Sequence, residues 1–169
     1  MTGKRTSLNL PGSEILNPCR ADQVLTKSAA LGTIAMKFHH VGIVVENIER
    51  SAAQYRQLFG LEPISAVVID PVQRVNVQFL ASHGSTASVE LVEPLPGESP
   101  ARGALKKGGG LNHVCFEVTD IEKSVRQAEL EGVLCVCRPV QAAAFDGRRI
   151  AFLFYRGIGL VEFVEAVAE

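Results

Sequence analysis

The chain contains one segment twice. His40-Val41-Gly42-Ile43-Val44-Val45-Glu46-Asn47-Ile48-Glu49-Arg50-Ser51 lies over His113-Val114-Cys115-Phe116-Glu117-Val118-Thr119-Asp120-Ile121-Glu122-Lys123-Ser124 at a constant offset of 73, with His, Val, Val, Ile, Glu, a basic residue and Ser recurring in register. A duplication of this length restricts the fold to two copies of one unit sharing a core, because a unit this small cannot bury its own apolar face alone. Each segment reads as a β-rich strand, then a polar Asn47 or Asp120 able to cap a helix, then an amphipathic helix, Ile48 to Phe59 and Ile121 to Glu131. Gly60 and Gly132 follow as left-handed stops. Three strand-like runs come after each helix: Glu62 to Ile69, Val75 to Ala81 and Ala87 to Glu93, then Leu134 to Pro139, Arg149 to Tyr155 and Gly159 to Glu165.

The order is therefore βαβββ twice, an α+β fold. One half would leave a sheet face and its edges bare, so the two repeats are expected to form a curved, mixed, eight-stranded sheet around a shared cavity. Residues 1–35 are polar, contain Pro11 and Pro18 and lack a sustained period, which marks an N-terminal extension, flexible or packed on a partner. A helix from Ala21 to Leu31 is the competing reading. The domain is expected over 36–169, with halves 36–96 and 111–169. The Pro- and Gly-rich stretch 97–110 joins them.

Strand alternation decides which residues face the cavity. His40 shares a face with Gly42 and Val44, and His113 with Cys115. Glu90, between Val89 and Leu91, and Glu162, between Val161 and Phe163, are isolated carboxylates in otherwise apolar strands. The histidine-to-glutamate separations nearly match, 90 − 40 = 50 and 162 − 113 = 49, so His40, Glu90, His113 and Glu162 are expected to converge about a pseudo-twofold axis. Two imidazoles and two carboxylates suit a divalent Co, Zn, Ni, Mn or Fe ion and leave room for substrate. His39 is expected to point the opposite way. His83 reads as a solvated turn residue, and Glu93 and Glu165 as outward and solvated. Lys106 and Lys107 read as residues of a solvated loop.

The four cysteines, Cys19, Cys115, Cys135 and Cys137, lack paired C-x-x-C spacing and read as free thiols in a reducing compartment. A formal net charge of -1 offers nothing to a polyanion, which argues against nucleic acid as a partner. No apolar run approaches the roughly 18 residues of a membrane span, and the expected location is the cytoplasm.

Four motifs taken in order, His40-Val41-Gly42-Ile43-Val44-Val45, Val89-Glu90-Leu91-Val92-Glu93-Pro94, Leu111-Asn112-His113-Val114-Cys115-Phe116-Glu117-Val118 and Gly159-Leu160-Val161-Glu162-Phe163-Val164-Glu165, resemble the vicinal oxygen chelate superfamily. Within it the chain is similar to the methylmalonyl-CoA epimerase and glyoxalase I branch over about Lys37 to Ala166. The resemblance implies that His40, Glu90, His113 and Glu162 are metal ligands and that Glu90 and Glu162 are the catalytic carboxylates. It also implies a small-molecule substrate, an acyl-CoA or a thiol adduct, with Asp70 and Gln73 at the cavity rim and Arg148 or Arg149 near an anionic group of the substrate, and a homodimer. Epimerases of this kind can carry a further acid on the second strand of the first half, where this chain has Val75, Asn76, Val77 and Gln78. The implied reaction is proton abstraction beside a carbonyl or thioester. A glyoxalase I-type lactoylglutathione lyase is the enzymatic alternative, and a metal-free binding or antibiotic-resistance protein of the same fold the non-enzymatic one. Extradiol dioxygenase relatives, with two histidines and one glutamate, fit the extra Glu90 less well.

Overall fold

The computed structural model describes residues 36–167. The expectations for residues 1–35 therefore lie outside the described residues. In chain order the elements are β1 (Met36–Val44), α1 (Ile48–Phe59), β2 (Glu62–Pro63), β3 (Val68–Asp70), β4 (Val75–Ala81), β5 (Ser88–Pro94), α2 (Arg102–Lys106), β6 (Gly110–Val118), α3 (Ile121–Leu130), β7 (Leu134–Gln141), β8 (Arg149–Tyr155) and β9 (Gly159–Glu165). A single 3-10 turn spans Ala143–Phe145.

The strands form one open mixed sheet in the order β2-β4-β5-β1-β6-β9-β8-β7, with β3 also paired to β4. The two halves meet at the antiparallel β1–β6 seam, flanked by the parallel pairs β1–β5 and β6–β9. The sheet has nine strands rather than the eight expected. The run Glu62 to Ile69 is broken after Pro63, which has no backbone N–H to continue a ladder. The interruption is filled by Ser65, whose hydroxyl accepts from the Phe79 N–H. The linker also contains the short α2, which its Pro and Gly content did not announce.

Both long helices begin as their caps dictate. The Asn47 side chain accepts from Arg50 N–H and that of Asp120 from Lys123 N–H, and Gly60 closes α1 at φ 67. Each helix buries one stripe against the convex side of its half. Ile48 and Ala52 pack on Leu80 and Leu91, while Ile121, Val125 and Ala128 pack on Ala151, Leu153, Val161 and Phe163. Glu93 and Glu165 face these helices and are not simply solvated. Glu93 accepts from the Ile48 N–H at 2.8 Å, satisfying a free helix N–H, and Glu165 pairs with Arg149 at 2.6 Å. Among the described residues, no helix is long and apolar enough to cross a membrane.

Candidate metal centre

The concave side of the four central strands carries the four expected residues, one per strand: Glu90 on β5, His40 on β1, His113 on β6 and Glu162 on β9. All four are buried, His40 fully. The His40 and His113 Nε2 atoms lie 3.1 Å apart. Glu90 Oε2 is 3.4 Å from each of them, and Glu162 Oε2 is 3.2 Å from His40 Nε2 and 3.3 Å from His113 Nε2. The ligand atoms of all four lie within 4.8 Å of one another.

These separations fit a divalent ion. A tetrahedron whose corners lie ~2.0 Å from its centre has edges of about 3.3 Å. The protons argue in the same direction. Two Nε2 atoms 3.1 Å apart cannot both carry hydrogen toward one centre, and the buried Glu162 Oε2 has no hydrogen-bond donor. A cation bound by all four atoms would satisfy them together.

The electrostatics reflect this crowding of acceptors. Burial disfavours a charged His113, but Glu162 and Glu90 outweigh it and raise its pKa to about 10; His40 is raised for the same reasons. Burial alone would raise the two glutamates, yet the two histidines beside them hold Glu90 low and Glu162 at about 2. The neighbouring Cys115 thiol is pushed far up by burial and by Glu162, which keeps it protonated and inert, as its apolar strand predicted.

Glu90, His113 and Glu162 line a cavity of about 390 Å³, with His40 buried behind them. Its wall is largely apolar, with Val75, Val77, Val92, Ile150, Phe152 and Leu160 among the lining residues. Asp70 and Gln73 line it as expected. Asp70 is 2% exposed, and its carboxylate accepts from the backbone N–H groups of Val72 and Gln73 in its own half and of Ala143 in the other. Arg148 and Arg149 are not in the lining. Arg148 pairs with Glu117 and Arg149 with Glu165 and Glu122, so their charges are already engaged.

His39 departs from strand alternation. The β1–β6 ladder passes from the pair Phe38–Phe116 to His40–Cys115, skipping His39 as a bulge. The His39 ring consequently packs against those of Phe79 and Phe145, and its Nδ1 lies 2.9 Å from His40 Nδ1. Burial, and then His40, lowers its pKa, so it is neutral near pH 7. Asn112, whose Oδ1 lies 3.1 Å from His113 Nδ1, was likewise not anticipated at the site. The signal that could have found both is positional: each immediately precedes one of the repeated histidines.

This chain belongs to the glyoxalase/bleomycin resistance protein/dioxygenase superfamily, whose profile matches residues 39–152. Its relatives there include methylmalonyl-CoA epimerases. The human mitochondrial methylmalonyl-CoA epimerase is 33% identical over 134 residues, 77% of this chain and 74% of the relative. The ethylmalonyl-CoA/methylmalonyl-CoA epimerase of Cereibacter sphaeroides is 39% identical over 87 residues, 50% of this chain and 63% of the relative. The crystal structure of methylmalonyl-CoA epimerase from Mycobacterium tuberculosis superposes with a TM-score of 0.66 at 26% identity, covering 84% of this chain and 96% of that one.

Proposed function

We propose that this protein is a divalent-metal-dependent epimerase that moves the proton on the carbon next to the thioester carbonyl of an acyl-CoA. The observation that carries the reading is the buried quartet of His40, Glu90, His113 and Glu162, three of which, Glu90, His113 and Glu162, line a largely apolar cavity. The methylmalonyl-CoA epimerases among its relatives supply the substrate class. A divalent ion held by the four residues would polarise the carbonyl oxygen and make the adjacent C–H acidic.

The remaining work falls to the chain's own side chains. Glu90 and Glu162 approach from strands on opposite sides of the seam, so one carboxylate takes the α-proton and the other delivers a proton to the opposite face of the planar carbon that results. Epimerisation requires this access to both faces. The valine-rich wall keeps the reacting carbon in an apolar setting. Among the described residues the lining contains no lysine or arginine. The position beside Val75 and Val77 has no additional acid, which leaves proton transfer to the two glutamates.

The test pairs metal analysis with isotope exchange. Purified protein is expected to hold about one divalent ion per chain and to exchange the α-proton of methylmalonyl-CoA with solvent deuterium. A metal-loaded protein that exchanges nothing but consumes a hemithioacetal would be a glyoxalase-type lyase. One that binds no divalent ion would leave only the cavity-binding alternative. The reading also places the enzyme in the cytoplasm as a homodimer. Leu134 and Val136 on the edge strand β7 and Phe154 on β8 are exposed apolar residues that a second copy would cover, and light scattering measures the mass directly.

A further inference from the structure

We propose that His39 and Asn112 are positioning residues that fix the tautomers of the two histidines, a role that rests on the metal reading above. A neutral imidazole carries its proton on one nitrogen and a lone pair on the other. For Nε2 of His40 and His113 to present lone pairs to an ion, Nδ1 of each must carry the hydrogen and needs an acceptor behind it.

Both acceptors are present, and the backbone delivers them in the same way. The seam contains two register shifts. At the first, β1 carries one residue more than β6, and the extra residue is His39. At the second the ladder passes from Gly42–His113 to Ile43–Leu111, and the extra residue is Asn112, on β6. Each bulge thus falls on the residue before the site histidine of its own strand. In a regular strand that neighbour would point to the opposite face; a bulge re-aims it. The two positions are 73 apart, as are His40 and His113, so the device is part of the repeated unit even though the side chains differ.

The chemistry of each contact assigns the proton. An amide oxygen only accepts, so Asn112 Oδ1 receives the His113 Nδ1–H at 3.1 Å. Two imidazole Nδ1 atoms at 2.9 Å share one hydrogen, so when His40 donates, His39 accepts and keeps its own proton on Nε2. Phe79 and Phe145 hold the His39 ring edge-on and limit its rotation. Such partners orient a ligating imidazole and raise its basicity, and their loss typically weakens metal binding ~10–100-fold.

Packing and hydrogen bonding at His39 are separated by two substitutions. His39→Phe keeps a ring among the aromatics and removes the acceptor; His39→Asn removes the ring and keeps an oxygen where Nδ1 was. Zn affinity is measured by competition with a chromophoric chelator, alongside the thermal midpoint of each metal-free variant. The expected result is ~10–100-fold weaker binding for His39→Phe and for Asn112→Leu, with His39→Asn closer to wild type. Wild-type affinity in His39→Phe, or His39→Asn no better than His39→Phe, would overturn the proposal. If wild type itself binds no ion, the metal reading fails; if wild type binds and every variant matches it, only the positioning role fails. Should the variants not fold, zinc-loaded wild type decides. A through-hydrogen-bond ¹⁵N–¹⁵N coupling between the His39 and His40 rings is required, and its absence sinks the idea.

Discussion

Gly42 lies directly across the β1–β6 ladder from His113, and a Cβ on Gly42 would fall within the imidazole ring. The repeat mate of Gly42 is Cys115, which faces His40 across the same ladder. One half therefore accommodates a side chain beneath its partner's histidine, and the other can accommodate none.

Gly42→Ala is accordingly expected to displace the His113 ring. Overpacking of this kind costs about 1–3 kcal/mol. The prediction is a lower thermal midpoint together with metal affinity reduced at least ~10-fold, since in the proposed centre the ring that moves is itself a ligand. Normal zinc binding in Gly42→Ala would show that His113 is not held where the ion sits.

Metal binding should release protons. His113, with its pKa raised from 6.5 to about 10, stabilises the metal-free fold fully below pH 6.5, and that contribution is lost as pH rises through about 10. Glu162, lowered from 4.5 to about 2, contributes above pH 4.5 and loses its contribution as pH falls through about 2. An ion must displace the His113 proton, so apparent affinity should climb by up to ~10-fold per pH unit between neutrality and about pH 9. Calorimetry in buffers of different ionisation enthalpy counts the protons released, and a count of zero would contradict this account of the His113 proton. Saturation at about 100 times Kd should then stabilise the fold by ~2.7 kcal/mol, visible as a higher midpoint that chelation reverses.

Glu90→Gln and Glu162→Gln distinguish the two faces of the reaction. In the proposed reaction each variant removes one of the two bases and is expected to slow interconversion of the epimers by ~100-fold or more. Supplied separately with the two epimers in deuterated solvent, each should retain exchange of one epimer preferentially, and the preference should be opposite in the two variants. Identical preferences would assign both proton transfers to one carboxylate.

Asp70→Asn tests the link between halves at the cavity wall. The aspartate accepts three backbone hydrogen bonds, and an amide can replace only one of its two oxygens as acceptor. One backbone donor is then left without its partner, at about 1–3 kcal/mol. Denaturant unfolding should record that loss, and KM should rise more than kcat falls because the wall rather than the quartet is altered.

Much of this architecture was legible from two regularities, the offset of 73 and strand alternation. Together they located all four quartet residues and both long helices. What alternation could not supply was its own exceptions. His39 was assigned to the opposite face because a bulge leaves no mark in side-chain periodicity; its cause lies in the pairing with β6. The break between β2 and β3 depends on a Ser65 hydroxyl substituting for a ladder bond, again a partner distant in sequence. The five residues of α2 include Gly103 and are too few to display a helical period. Glu93 and Glu165 were correctly placed outward, but their helix and arginine partners appear only once the chain has folded.

The placement of one quartet residue on each of four adjacent strands, with the seam through the middle, has a further consequence. Each half contributes one histidine and one glutamate, so two copies of a half-length chain related by a twofold axis would complete the same quartet. In such an assembly the centre would exist only at concentrations where the halves associate. The covalent tether 97–110 makes that association intramolecular and the centre independent of dilution. It also releases the two sides from identity, and the pairs Gly42 and Cys115, and His39 and Asn112, are places where the same position now has two different occupants.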